Sequence, residues 1–145
     1  MAKDLFSKEQ KKQIVDAIKE AELNTSGEIR VHIDKKCPED VMDRAAFLFQ
    51  KMKMHKTEKR NGVLFFLAVK DRKFAILGDA GINAVVPEGF WDNIKETMTG
   101  YFKEGAFARG LAEGIKMSGE QLKAHFPYQS DDVNELSDEI SFGSK

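Results

Sequence analysis

Gly62-Val63-Leu64-Phe65-Phe66-Leu67-Ala68-Val69 is the longest apolar run in the chain, and no polar residue interrupts it on either face. A strand with one wet side alternates, whereas one that is apolar throughout is covered on both sides and belongs in the middle of a sheet. The run is far short of the ~20 residues that a helix needs to cross a bilayer. Directly after it, Lys70-Asp71-Arg72-Lys73 reads as a tight turn into Phe74-Ala75-Ile76-Leu77, so the central strand acquires an antiparallel partner.

Upstream, Thr57 to Asn61 is a polar connection. Before it, Val41, Ala45, Leu48, Met52 and His55 follow one helical stripe, with Met42 and Phe49 widening it. Pro38 suits the start of that helix, and Glu39 and Asp40 suit its positive end. Further back, Glu28 to Asp34 alternates strictly, with Ile29, Val31 and Ile33 against Glu28, Arg30, His32 and Asp34. That pattern predicts a strand with one polar face, at or near a sheet edge. Ser7-Lys8-Glu9-Gln10 fits a capping box and opens an amphipathic helix over residues 8–23.

Strand, helix and strand in that order imply a parallel pair joined by a right-handed crossover. Downstream of the hairpin, a short helix is expected over 82–86. A longer one follows Pro87 and carries Phe90, Trp91, Ile94, Met98 and Phe102, and a last one runs to about His125. Gly110 and Gly114 cost that last helix roughly 1 kcal/mol each against Ala, which points to close approach of the sheet or another helix. The expected fold is α/β, a three-layer α/β/α sandwich around a small mixed sheet. Residues 1–127 are expected to form one domain, and 128–145 an acidic, flexible tail whose late anchors are Ile140 and Phe142.

The chain has 145 residues, with 23 Lys and Arg against 24 Asp and Glu. A net charge of −1 argues against a dedicated nucleic-acid binder. The balance is uneven. Residues 1–73 carry 17 basic and 12 acidic side chains, while residues 74–145 carry 6 and 12. The basic excess gathers at Lys51, Lys53, Lys56, Lys59 and Arg60, the acidic excess at Asp131, Asp132, Glu135, Asp138 and Glu139. Such a division keeps a domain soluble, or it docks a protein partner through the tail. With no apolar leader and a single Cys, the expectation is a cytoplasmic monomer that binds neither membrane nor nucleic acid.

Soft-metal and nucleophilic signatures are absent from the sequence. His32, Cys37, His55 and His125 have no zinc-ligand spacing, and neither a P-loop nor G-x-S-x-G occurs. Cys37, just before a helix start, is either an activated thiol or an inert one. Oxygen chemistry is better placed. The crossover brings Ser26 and Glu28 beside Asn61, and the hairpin returns Asp79 to the same edge. Glu104 joins them if the last helix packs back across the sheet. Carboxylates with an Asn and a Ser suit a hard cation, Ca²⁺ or Mg²⁺. The plain alternative makes Ser26 and Asp79 caps and Glu28 a solvated strand residue. A rival edge, at the carboxyl ends of the parallel strands, holds Asp34, Lys70 and Asp71.

Several segments together resemble the TPM-domain family. They are Thr25-Ser26-Gly27-Glu28-Ile29-Arg30-Val31, Arg60-Asn61-Gly62-Val63-Leu64 running to Asp71-Arg72-Lys73, Gly78-Asp79 with Gly81, and Phe102-Lys103-Glu104-Gly105 with Phe107, Gly110 and Leu111. The resemblance spans about residues 6–126, and Asn134 to Ile140 is similar to the tail of stand-alone bacterial members. It implies a three-layer sandwich with a divalent-cation site, and it favours the edge with Ser26, Glu28, Asn61 and Asp79. The family is also described as a phosphatase family. That makes a metal-assisted phosphomonoesterase the alternative to a cation-binding or partner-binding module. The chain departs from many relatives at Gly78-Asp79-Ala80-Gly81-Ile82-Asn83, where they have a Gly-rich stretch, and at Glu104, where they often have Gly-Asp.

Overall fold

The structure is a computed structural model that describes residues 2–23, 25–127 and 137–143. The acidic positions Asp131, Asp132 and Glu135 lie outside the described residues. Five helices and four strands are present among those described: α1 (Lys8–Glu22), β1 (Glu28–Asp34), α2 (Val41–Lys51), β2 (Gly62–Ala68), β3 (Lys73–Gly78), α3 (Ala80–Asn83), α4 (Asp92–Lys103), α5 (Phe107–His125) and β4 (Ser141–Phe142). Short 3-10 turns cover Ala2–Leu5 and Met54–Lys56. No helix among the described residues is long and apolar enough to cross a membrane.

The sheet runs β3-β2-β1-β4. β1 pairs in parallel with β2 from Glu28↔Gly62 to Asp34↔Ala68, and β3 closes the hairpin antiparallel to β2. The wholly apolar β2 is buried along its entire length, as its composition requires. Alternation assigns its two faces to two cores. Val63, Phe65 and Leu67 join Ile29, Val31 and Ile33 against α1, α4 and α5. Leu64, Phe66 and Ala68 meet Ala45, Leu48 and Phe49 of α2. The three layers are therefore α1, α4 and α5 on one side, the mixed sheet in the middle, and α2 on the other.

Local chemistry sets the helix ends. Ser7 Oγ accepts from the Gln10 N–H while Gln10 Oε1 accepts from the Ser7 N–H, which completes the capping box at α1. Asp40, not Pro38, caps α2, because its carboxylate takes the N–H groups of Met42 and Asp43. The helix expected over 82–86 is instead Ala80–Asn83, and the one expected after Pro87 begins at Asp92. Asp79 moves the first start forward by capping it. Gly89, with φ +79°, holds off the second by leaving the right-handed region that a helix needs.

β1 lies near the edge of the sheet, as its alternation suggested, with one short strand outside it. β1 is second from the edge, because Ser141–Phe142 pair with His32–Ile33 and the Gly143 N–H donates to the Ile33 carbonyl at 2.9 Å. Phe142 stands 6.5 Å from Phe6 and packs on the α1 side, while Ser141 meets His32 of the polar face at 2.8 Å.

Candidate functional site at the start of the parallel strands

β1 and β2 begin, and β3 ends, at one edge. Glu28 is paired with Gly62, and the Asp79 N–H donates to the Gly62 carbonyl at 3.0 Å. Glu28, Gly62 and Asp79 thus form a row across three strands, with a residue lacking a side chain in the middle. At normal strand spacing the outer two backbones are about 10 Å apart. Both carboxylate residues are buried.

Asn61 sews the edge together. Its Nδ2 donates to the Ser26 carbonyl at 3.1 Å and to Ser26 Oγ at 3.4 Å, and its own carbonyl accepts from the Glu28 N–H at 3.2 Å. α5 arrives at the same place by its far end. The Ser26 N–H donates to the Phe126 carbonyl at 2.9 Å, and Thr25 Oγ1 donates to the same oxygen. Ser26, Glu28, Asn61 and Asp79 are therefore brought together as expected. Glu104 is not. It follows α4 and precedes α5, and a 19-residue helix of about 28 Å separates it from Phe126. The last helix does pack back across the sheet, but with its carboxyl end at this edge.

Two partners were not legible as site residues. Arg60 Nε and Nη2 bind both oxygens of Asp79, each at 2.8 Å, while Asp79 Oδ1 also takes the Ala80 N–H at 2.7 Å. This is the bidentate fork that guanidinium and carboxylate favour. Arg60 holds φ +51°, and its carbonyl accepts from the Gly81 N–H at 2.9 Å. A Cβ at Gly81 would stand 2.2 Å from the Lys59 carbonyl, so a glycine is required there. In the sequence Arg60 belongs to a basic cluster, with nothing to say which cation turns inward.

The second is Glu22. Its Oε2 accepts from the Ile29 N–H at 2.8 Å. Burial, a hydrogen bond with Asp138 and the charges of Asp138 and Glu28 outweigh that contact, and its pKa is pushed up to about 9. Burial and the hydrogen bond with Asp138 together favour a proton held between these two carboxyl groups. No sequence signal joins the end of α1 to a residue 116 positions later.

The donors at this edge are hard oxygens, which suit Ca²⁺ or Mg²⁺ by type. Among the described residues no three of His, Cys, Asp and Glu stand grouped to hold a metal ion, and the positive charge opposite Asp79 is the Arg60 guanidinium.

The rival edge is built as a clasp. Asp71 Oδ2 accepts from the Cys37 N–H at 2.7 Å, and Lys73 Nζ donates to the Cys37 carbonyl at 3.0 Å. Cys37 is buried, and burial with the neighbouring Glu39 pushes its thiol up, so it is the inert alternative that holds. Asp34 is fully buried and bound to His32 and Arg44.

The sequence model of the TPM domain matches residues 2–121. The NMR structure of the BA42 protein from the psychrophilic bacterium Bizionia argentinensis is 48% identical, covers 95% of each chain, and superimposes with a TM-score of 0.90. Two more distant likenesses show the fold alone. The N-terminal domain of a protein from P. gingivalis has a TM-score of 0.68 at 21% identity, over 84% of this chain and 79% of that one. The N-terminal domain of the cg2496 protein from Corynebacterium glutamicum has a TM-score of 0.65 at 13% identity, over 97% of this chain and 81% of that one. A comparison with curated proteins finds no match. By its matched span, and by a likeness to BA42 along nearly its whole length, the chain belongs to the TPM domain family.

Proposed function

We propose that this chain is a divalent-cation-binding TPM module, with Glu28 and Asp79 as charged ligands and Asn61 and Ser26 as neutral oxygen donors. The observation that carries this reading is the row Glu28, Gly62 and Asp79, which sets two buried carboxylate residues side by side across the start of three strands. Beside that row, burial above all pushes the Glu22 carboxyl up to about 9, with the Asp138 hydrogen bond and charge adding to it and the Glu28 charge contributing least. A proton there does a task that a cation does better. Asp79 stands across Gly62 from Glu28, a residue with no side chain of its own lying between them. Glu104 drops out of the ligand set by its distance.

Arg60 sets a condition on binding. A cation reaches Asp79 only by competing with the guanidinium, so the site is switchable and its affinity is moderate. The product of binding is a freed, half-exposed Arg60 side chain, which suits presentation to an acidic protein partner.

The test is a titration of ¹⁵N-labelled chain with CaCl₂ and with MgCl₂. Saturable shifts at residues 22, 26–28, 60–62 and 78–81 are expected. Asp79→Asn should weaken binding about tenfold or more, which is ~1.4 kcal/mol. Arg60→Gln should tighten it several-fold by removing the competitor. Affinity should rise with pH as the Glu22 proton leaves. Shifts confined to Asp34 and Asp71, or none that saturate, would overturn the assignment. Metal-dependent turnover of p-nitrophenyl phosphate, lost in Asp79→Asn, would make the same site catalytic.

A further inference from the structure

At the opposite end of β1, a second constellation stands on geometry that owes nothing to the cation edge. His32 Nδ1 is 2.8 Å from Ser141 Oγ, and His32 Nε2 is 3.0 Å from Asp34 Oδ1. Asp34 Oδ2 accepts from Arg44 Nε at 3.1 Å. A hydroxyl on one imidazole nitrogen and a buried carboxylate on the other is the arrangement by which a base is held in one tautomer and aimed at a nucleophile. With Asp34 accepting from Nε2–H, Nδ1 is left as the acceptor for the Ser141 hydroxyl. Burial pushes Asp34 up, but the His32 hydrogen bond and the Arg44 charge overcome it and hold the group as a carboxylate.

The pair is rigidly seated. The His32 ring stacks on Phe66 at 6.1 Å with planes 23° apart. Gly143 closes over it, since a Cβ there would stand 1.6 Å from Asp34 Oδ1. Beside the pair opens a cavity of about 570 Å³, bordered by His32, Ser141, Arg44, Phe47, Lys51 and Met52. Phe47 is 54% exposed at its mouth, with Arg44 5.6 Å and Lys51 5.8 Å from the ring. The cavity joins an apolar wall to two cations.

The sheet also supplies a donor. The Gly143 N–H is spent on Ile33, so by the alternation of a parallel ladder the Phe142 N–H points away from β1, toward the open edge. A backbone N–H on the residue after the nucleophile is where an acyl-transfer oxyanion is held.

We propose that Ser141 and His32, positioned by Asp34, form a hydrolytic site for small carboxylic esters that carry a second, anionic group. Ser141 Oγ bonds to the ester carbonyl carbon while its proton passes to His32 Nδ1, and the carbonyl π pair moves to oxygen, facing the Phe142 N–H. The tetrahedral adduct collapses, the C–O bond to the alcohol breaks, and His32 returns the proton to that alcohol. Water then attacks the acyl-Ser141 ester with the same base, releasing the acid. Lys51 binds the anionic group, and Phe47 and Met52 the carbon chain. Phosphoryl transfer fits less well, because the negative oxygens of a phosphoryl group call for several cations at the reacting atom, and Arg44 Nε is committed to Asp34.

The test uses the full chain. A fluorophosphonate probe should label Ser141, located by mass spectrometry. The chain should hydrolyse p-nitrophenyl hemisuccinate with a higher kcat/KM than p-nitrophenyl acetate. Ser141→Ala should abolish labelling and lower kcat/KM by at least about 100-fold, because it removes the nucleophile. Lys51→Gln should raise KM for the hemisuccinate several-fold. Because Ser141→Ala removes a contact that seats β4, Ser141→Cys is the companion: it keeps a nucleophile in place, and its thiol should be acylated by the hemisuccinate. Absence of label on Ser141, or turnover undiminished in Ser141→Ala with β4 amides still protected, overturns the proposal.

Discussion

Glu22 is the residue whose protonation state matters most to the energetics. In the unfolded chain it loses its proton near the ordinary 4.5, whereas the folded chain keeps it to about 9. Between those values the folded state binds a proton that the unfolded state lacks, so this contribution to stability declines as pH rises. It is complete below about 4.5 and gone above about 9. The midpoint of urea unfolding should therefore fall between pH 5.5 and 8.5, and Glu22→Gln should flatten that dependence while retaining the Ile29 contact. Asp138→Asn should flatten it in part, because it removes the charge while its amide oxygen can still accept. Nothing in the sequence separates Glu22 from the other acids of α1. Its role comes from burial first and then from Asp138, three residues before the two-residue strand β4. By contrast Glu28 and Asp79 were legible, because crossover and hairpin geometry alone bring them to one edge.

Among the elements, α5 shows how far a costly residue can be read. Two glycines in its middle pointed to close approach, and the approach is to α4: a Cβ on Gly114 would meet Met98 Sδ at 2.4 Å, and one on Gly110 would meet the Phe102 ring at 2.5 Å. Which glycine matters most was not legible, since it depends on what can yield. Gly119 would meet the Ala21 Cβ at 2.6 Å and Cα at 2.9 Å, and neither atom can rotate away. Met98 is unbranched and can. Ala also gains about 1 kcal/mol over Gly in a helix interior. Gly114→Ala should accordingly be near neutral, while Gly119→Ala should cost about 1–3 kcal/mol by forcing α1 away from α5. Urea unfolding of the two variants decides the ranking, and equal costs would mean that the α4 and α5 interfaces are equally stiff. Strand length explains the other unreadable element. β4 has two residues and no alternation to detect, so β1 read as lying at or near an edge, and it is indeed next to the edge, with β4 outside it.

On the scale of the whole molecule, the end of the chain fastens onto a core that is complete without it. β1, β2 and β3, with helices on both faces, account for the two apolar clusters, and Ile140 and Phe142 only pack against one of them. Yet residues 137–143 touch both ends of β1, with Asp138 at Glu22 and Ser141 at His32. A chain ending at residue 136 should therefore fold, with the amide signals of β2 and β3 dispersed as in the full chain. It should lose about 2–4 kcal/mol, the scale of two partly buried large side chains. It should also lose much of its pH dependence between about 4.5 and 9, because Glu22 no longer has Asp138 beside it. The two losses are separable: restoring residues 137–143 with Asp138→Asn recovers the packing without the charge. If the truncated chain instead unfolds altogether, the strap is a structural member of the sheet, and its pairing with β1 must form before the core can close.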